Sequence, residues 1–139
     1  MNKLFLISEF WVHQPLSLID SKEYIMRRCG LKFLTFEEDA DVYRAFMAFK
    51  REHRVFLYLG KKEYLVRKAT FWEDICKKVD LVAHKNGKMY YIQVKSNSDF
   101  LEPKEISEFN IFCRNKNATG IYAIVSRNRI MFRKIIGGK

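Results

Sequence analysis

Cysteine is scarce in this chain of 139 residues, and what there is does not pair: Cys29, Cys76 and Cys113 stand far apart and are odd in number. That spacing argues against a disulfide framework and a zinc knuckle, and leaves core packing in a reducing compartment as their expected role. His13, His53 and His84 are scattered, so a structural zinc site is not expected either. His84 is read as a solvated or packing residue. No apolar run reaches membrane-spanning length, and the stretch from Met1 to Val12 is interrupted by Glu9 and lacks a basic leader or a small-residue cleavage site. A cytoplasmic chain is expected, in the host cytoplasm if its source is viral. There is no Gly-rich phosphate loop, no Gly-X-Ser-X-Gly elbow, no repeat and no low-complexity segment. Acid is missing from one end: from Phe109 to Lys139 there are seven Lys or Arg residues and no Asp or Glu.

What is present is a packed, basic chain. Hydrophobic residues make up 48% and aromatics 15%, with twelve Phe and seven Tyr, which is more than a disordered chain carries. The length suits one domain that buries its own core. A formal net charge of +10 favours polyanions through faster encounter and counterion release, making nucleic acid the leading partner ahead of anionic lipid or simple solubility. The acid-free end makes Arg114, Lys116, Arg127, Arg129, Arg133 and Lys134 the expected backbone-contacting set, with Lys85 and Lys88 as reinforcements. A basic tail without a specific site has the same composition.

The most informative run is Val79 to Ser96. Asn86-Gly87 between two apolar-rich stretches is a strong hairpin signal, because a type I′ turn needs positive φ at both central residues. A two-residue turn sets Lys85 opposite Lys88 and Asp80 opposite Gln93. Period-two alternation then puts Asp80, Gln93 and Lys95 on one face, and Leu81, Ala83, Ile92 and Val94 on an apolar face behind it. On that wet face Asp80 is suited to anchor Mg²⁺ or Mn²⁺, Gln93 to add a side-chain carbonyl, and Lys95 to act on a water or a scissile phosphate. An ordinary antiparallel hairpin exposes the same residue types, so geometry alone leaves the matter even.

The string Val79-Asp80-Leu81-Val82-Ala83, a short turn, then Tyr91-Ile92-Gln93-Val94-Lys95-Ser96 resembles the core motif of the PD-(D/E)XK nuclease superfamily. Its wording is close to archaeal Holliday-junction resolvases, and the Gln-X-Lys form resembles the Mrr type of restriction endonuclease. Val79 stands where the family name puts proline, and Gln93 replaces the second carboxylate. The resemblance runs over roughly residues 64 to 126. It implies an α/β, restriction-endonuclease-like fold, a central mixed sheet flanked by helices, and cleavage of DNA phosphodiester bonds with Mg²⁺ or Mn²⁺. It also implies a backbone ligand from Val94, structured or branched DNA as substrate, and a homodimer. Residues 1–139 are then one nuclease-like domain, with 1–35 as an extension and 36–136 as the core.

In such a superfamily a helix before the sheet contributes a further carboxylate. Thr35 and Glu38 form a capping-box pattern, and apolar spacing predicts a helix from Phe36 to His53. Glu37, Glu38 and Asp41 in its first turn are therefore candidates for the metal site. A Phe-Glu pair at such a start resembles the Mrr arrangement and favours Glu37, with Glu52 at the helix end as a further candidate. Macrodipole complementarity accounts for the same acids without any site. Glu73 and Asp74 fall in a stretch, Ala69 to Lys78, that the resemblance makes a mobile, substrate-facing loop, and they are alternatives for the missing carboxylate. Trp72 there is read as a core residue or a base-stacking one.

Elsewhere, residues 2 to 12 read as a strand or short helix, and Ser17 to Cys29 as a helix closed by Gly30. Strands are expected at Val55 to Leu59 and Glu63 to Lys68, with Lys61, Lys62, Arg67 and Lys68 as edge or loop charges. A polar loop Ser96 to Asp99, a helix Pro103 to Lys116, a buried strand Thr119 to Ser126 and a last strand Arg129 to Ile136 complete the reading. The rival functions are a nucleic-acid-binding protein on the same fold that has lost cleavage and, more remotely, a protein-interaction module.

Overall fold

The computed structural model describes residues 1–96 and 102–134. They divide into two compact units, Met1–Lys50 and the chain from Arg51 onward.

The first unit is helical. Asn2 caps α1 (Lys3–His13) by accepting a hydrogen bond from the Phe5 N–H at 3.1 Å, which settles the strand-or-helix ambiguity of this stretch as helix. Ser17 caps α2 (Leu18–Cys29), and Gly30 ends it in the left-handed region at φ 68°. The first half of α3 (Phe36–Lys61) joins them through Val42, Ala45, Phe46, Ala48 and Phe49, which pack with Leu6, Ile7, Phe10 and Ile25. Phe10 meets Phe46 and Phe49 edge-on, with centroids 6.3 and 6.2 Å apart. Burying such side chains contributes about 2 kcal/mol each. That shared core makes Met1–Lys50 a compact unit of its own.

The second unit holds the remainder of α3 and a five-stranded sheet in the order β1-β2-β3-β4-β5. Its elements are β1 (Leu65–Lys68), α4 (Phe71–Lys77), β2 (Leu81–Lys85), β3 (Lys88–Ser96), α5 (Pro103–Asn115), β4 (Ala118–Val125) and β5 (Ile130–Lys134). Neighbouring strands are antiparallel except β3 and β4, which run parallel across the α5 connection. The sheet is therefore mixed and flanked by helices, as expected. The hairpin is also in the expected register, Lys85 opposite Lys88, with Asn86 and Gly87 at φ 52° and 77°.

Two expectations fail. Val55 to Leu59 is not a strand, because α3 continues through it to Lys61. Extending a formed helix is easier than nucleating a strand, no turn residue intervenes after His53, and Val55 and Leu59 are buried four residues apart on one face. Ala69 to Lys78 is not an open loop either. Thr70 and Glu73 form a full capping box, each side chain bonding the other's backbone N–H at 3.2 and 2.8 Å, and α4 follows.

The hairpin does not have one wet and one dry face. Val82 and Tyr91 pack in a core with Phe109, Phe112 and Cys113 of α5, while Leu81 and Ile92, of the other parity, are fully buried too. Interior strands of a sheet with a parallel pair are covered on both sides, and that coverage removes the expected alternation. The expected loop residues Asn97 to Asp99 and the last two residues of the expected final strand lie outside the described residues. Among the described residues no helix is long and apolar enough to cross a membrane.

Candidate active site

Asp80 sits just ahead of β2, where the ladder begins to open. Its backbone N–H donates to the Ile92 carbonyl at 2.9 Å, and its carbonyl accepts from the Ala69 N–H at 3.0 Å. The carboxylate Oδ2 accepts the Val94 N–H at 2.8 Å, a place that a backbone carbonyl takes elsewhere in a ladder. The side chain is thereby fixed at the hairpin's open end.

Three other charged groups meet there. Lys68, the last residue of β1, is paired with Leu81, and its Nζ reaches Glu52 Oε1 at 3.2 Å, Asp74 Oδ2 at 3.0 Å and the Asp80 carbonyl at 3.2 Å. Glu52 comes from α3 and is 6% exposed. The Glu52 and Asp74 carboxylates and the Asp80 carbonyl thus share one ammonium in a largely dry corner. Burial first, then the Glu52 carboxylate, push the Asp80 carboxyl from 3.8 up to about 8, against the Val94 N–H and Lys68, which favour the anion. Burial works against the Lys68 ammonium, but Glu52, Asp74 and Asp80 outweigh it and raise its pKa.

The structure distributes the predicted residues unevenly. Glu37, Glu38 and Asp41 belong to the first unit, 11 to 15 residues before Glu52 in the sequence. Glu38 is used in the capping box with Thr35, and Asp41 binds the Met1 ammonium at 2.9 Å and Arg44 at 2.6 Å. The upstream acid beside Asp80 is Glu52. Of the two alternatives, Asp74 is at the cluster through Lys68, whereas Glu73 is buried against Arg67 at 2.9 and 3.2 Å. Despite its burial, Arg67 and the Thr70 N–H hold the Glu73 carboxyl below the usual carboxylate range.

Gln93 stands opposite Asp80 but is 3% exposed, and it lines a cleft of about 340 Å³ with residues of α4 and α5, among them Cys76, Lys77, Phe109 and Phe112. Val94 and Lys95 are half-buried in the next positions of β3. Among the basic residues, Lys88, Arg114, Lys116, Arg127, Arg129, Arg133 and Lys134 are exposed. Lys85 is instead held by the Lys62 carbonyl at 2.7 Å and lies over the Tyr64 ring at 4.7 Å. His84 is exposed, as read. Trp72 is 49% exposed, its ring meeting the edge of Phe112. Cys29 and Cys76 are exposed, contrary to a packing role, because each falls on the outward side of its helix; Cys113 is buried, and burial pushes its thiol up to about 12.

Lys68 escaped the sequence reading, which treated it as an edge charge. Glu52 had a signal: with Val55 and Leu59 it forms an i, i+3, i+7 stripe, visible once the helix is extended to Lys61.

The mixed sheet, its helices and its topology make this a restriction-endonuclease-like α/β fold. Among solved structures it is similar to Hjc of Archaeoglobus fulgidus, a Holliday junction resolvase from an archaeal hyperthermophile. The two share 19% identity at a TM-score of 0.52, over 62% of this chain and 70% of that one. No family model and no curated protein matches the chain. At that identity the likeness is one of fold.

The oxygen donors at Asp80 fit a hard divalent cation. Among the described residues no three His, Cys, Asp or Glu side chains form a metal cage by themselves. Asp80 and Glu52 supply two carboxylates, however, and ions such as Mg²⁺ complete their shells with carbonyls, water and substrate phosphate. Crowded acids raise one another's pKa, and a bound cation is the partner that relieves such crowding.

Proposed function

We propose that this chain is a divalent-metal-dependent endonuclease acting on DNA, with branched DNA as its preferred substrate and a homodimer as the working form. The observation that carries the reading is the Asp80 carboxylate, anchored by the Val94 N–H and crowded by Glu52 at the open end of a hairpin. The resolvase activity named for the Hjc structure supports the choice of branched DNA.

In this reading Asp80, Glu52 and the Val94 carbonyl hold Mg²⁺ or Mn²⁺. The ion when bound supplies Lewis-acid stabilisation of the phosphate and a more acidic water. Lys95 positions that water and places positive charge beside the scissile phosphate. Lys68 keeps Glu52 and Asp74 in place and limits their mutual repulsion. Arg114, Lys116, Arg127, Arg129, Arg133, Lys134 and Lys88 hold the DNA backbone. Gln93 is left out of the ligand set, because its side chain lines the α4–α5 cleft.

One observation favours a second reading, a DNA-binding protein that no longer cuts: the Lys68 ammonium already bridges Glu52 and Asp74. Labelled four-way, duplex and single-stranded DNA incubated with Mg²⁺, Mn²⁺ or chelator separates the two. The enzyme gives metal-dependent products that fall about a thousandfold in Asp80→Ala and Lys95→Ala while binding persists. Salt-sensitive binding with no metal-dependent product from the wild type establishes the binder.

A further inference from the structure

We infer that Phe71, the first residue of α4, is a wedge that stacks on the base pair left open at the branch point of bound DNA, and so selects branched from linear DNA. The inference deepens the proposed reading by naming a residue that chooses the substrate; it rests on DNA binding and not on cleavage.

Phe71 is 74% exposed, and among the described residues its ring has no aromatic or cationic partner. Burying such a side chain contributes about 2 kcal/mol, a gain left unrealised here. Lone exposed apolar residues are common on proteins, but this one stands on an unusually firm footing. Thr70 and Glu73 close the capping box around it, Glu73 is bound by Arg67 at 2.9 and 3.2 Å, and the Ala69 N–H donates to the Asp80 carbonyl at 3.0 Å. A ring on a fixed support gives up little freedom when it docks. Trp72 next to it is less free, with its ring edge-on to Phe112 and Lys77 Nζ 5.7 Å from its centre.

The charge around Phe71 suits a polyanion. Both acids of α4 are engaged inwards, Glu73 by Arg67 and Asp74 by Lys68 at 3.0 Å. What the helix and its cap expose is Phe71, Trp72, Ile75, Cys76 and Lys78, with Lys77 half-buried. A phosphate approaching this side meets lysines and no unpaired carboxylate of the helix. A second copy, facing the same patch across a two-fold axis, sets lysine against lysine. DNA is therefore the occupant that the charge favours.

Position selects the kind of DNA. Two residues of chain span at most about 7 Å, which keeps Phe71 close to Ala69 and hence to the strand end that holds the Asp80 carbonyl. In a continuous duplex every base face is covered by the next, and opening one step costs a few kcal/mol. At a branch the faces already lie open. A ring beside the candidate site thus gains on branched DNA what linear DNA withholds.

The test uses the full chain in chelator, with a four-way junction and a linear duplex of the same sequence. Phe71→Ala is expected to weaken junction binding about tenfold, the factor that stacking on one base supplies, and to leave duplex binding within about twofold. Phe71→Trp keeps a flat ring and is expected to restore the preference. Because Phe71 lies outside the core, neither variant is expected to move the melting temperature. Placed at the branch, 2-aminopurine is expected to change its emission on binding the wild type but not Phe71→Ala. Equal losses on junction and duplex, or no loss on either, overturn the inference and leave the endonuclease reading intact. So does light scattering that shows Phe71→Ala splitting a dimer in the absence of DNA, because a second copy then covers the ring. A loss confined to the junction, with no metal-dependent cleavage by the wild type, does the reverse. Absence of salt-sensitive DNA binding overturns both.

Discussion

At the start of α3, three acids crowd the first turn and Asp41 follows, and three of the four are answered locally: Glu38 by the Thr35 N–H, Asp39 by Lys22 at 2.8 Å, and Asp41 by the Met1 ammonium and Arg44. Around Asp80 there are fewer acids, drawn from α3, α4 and the approach to β2, and they share the single ammonium of Lys68. The first group is denser in sequence, yet the second is the one under electrostatic load. Density of like charge along the chain therefore does not mark a site; uncompensated charge in a dry place does.

The contrast is sharpest in catalysis. Glu52→Gln keeps the shape of the cluster and removes one ligand charge, so metal-dependent cleavage is expected to fall about a hundredfold or more, with partial recovery at higher Mn²⁺. Glu37→Gln is expected to leave the rate within about twofold, since the first-turn acids serve the helix dipole. Equal losses in the two variants would erase the distinction between the groups.

Lys68→Met comes next. It strands Glu52, Asp74 and Asp80 without their cation, and breaking a largely buried charge pair in this way costs about 3 kcal/mol. Urea unfolding measures it, and added Mg²⁺ is expected to restore part of the loss. No recovery with either Mg²⁺ or Mn²⁺ would argue against an ion at this position.

The pH dependence of stability gives a smaller effect with a definite sign. Asp80 titrates near 8 in the fold and near 3.8 in the unfolded chain, so the native state holds the extra proton between those values. Its contribution is fully present below about pH 4 and is lost as the pH rises towards 8. Asp80→Asn, which cannot ionise, is therefore expected to gain in melting temperature over the wild type as the pH goes from 5 to 8 in chelator. A gap that is constant or shrinks over that range would remove the electrostatic load from Asp80. Smallest of all, Asp41→Asn at the half-buried helix start is expected to lower the melting temperature only slightly, since ion pairs near the surface contribute little.

The hairpin was readable to the residue, since Asn86-Gly87 fixes both turn and register by local stereochemistry. The mixed sheet was implied by the resemblance of the hairpin motif, and most helices followed from caps and spacing. What escaped was set by tertiary contacts. Val55 to Leu59 has strand composition, and only the helix already running into it and the burial of Val55 and Leu59 decide otherwise. That one boundary also left Glu52 only a further candidate behind Glu37, because a helix ending at His53 puts it at a frayed end. Period two put Gln93 with Asp80, but Asp80 lies outside β2 and turns its carboxylate into the ladder, while Gln93 stays on the face that α5 covers. A pattern rule holds within a strand and lapses one residue beyond it.

The hydrogen bond from Val94 to Asp80 also gives the molecule a built-in spectroscopic gauge. An amide proton held by a carboxylate shifts downfield when that oxygen is charged and relaxes when it is protonated, so one backbone resonance follows the ionisation of one side chain. Titrating acid, Mg²⁺ or DNA against that signal registers each event at the hairpin's open end, with no label on any of the groups that do the chemistry.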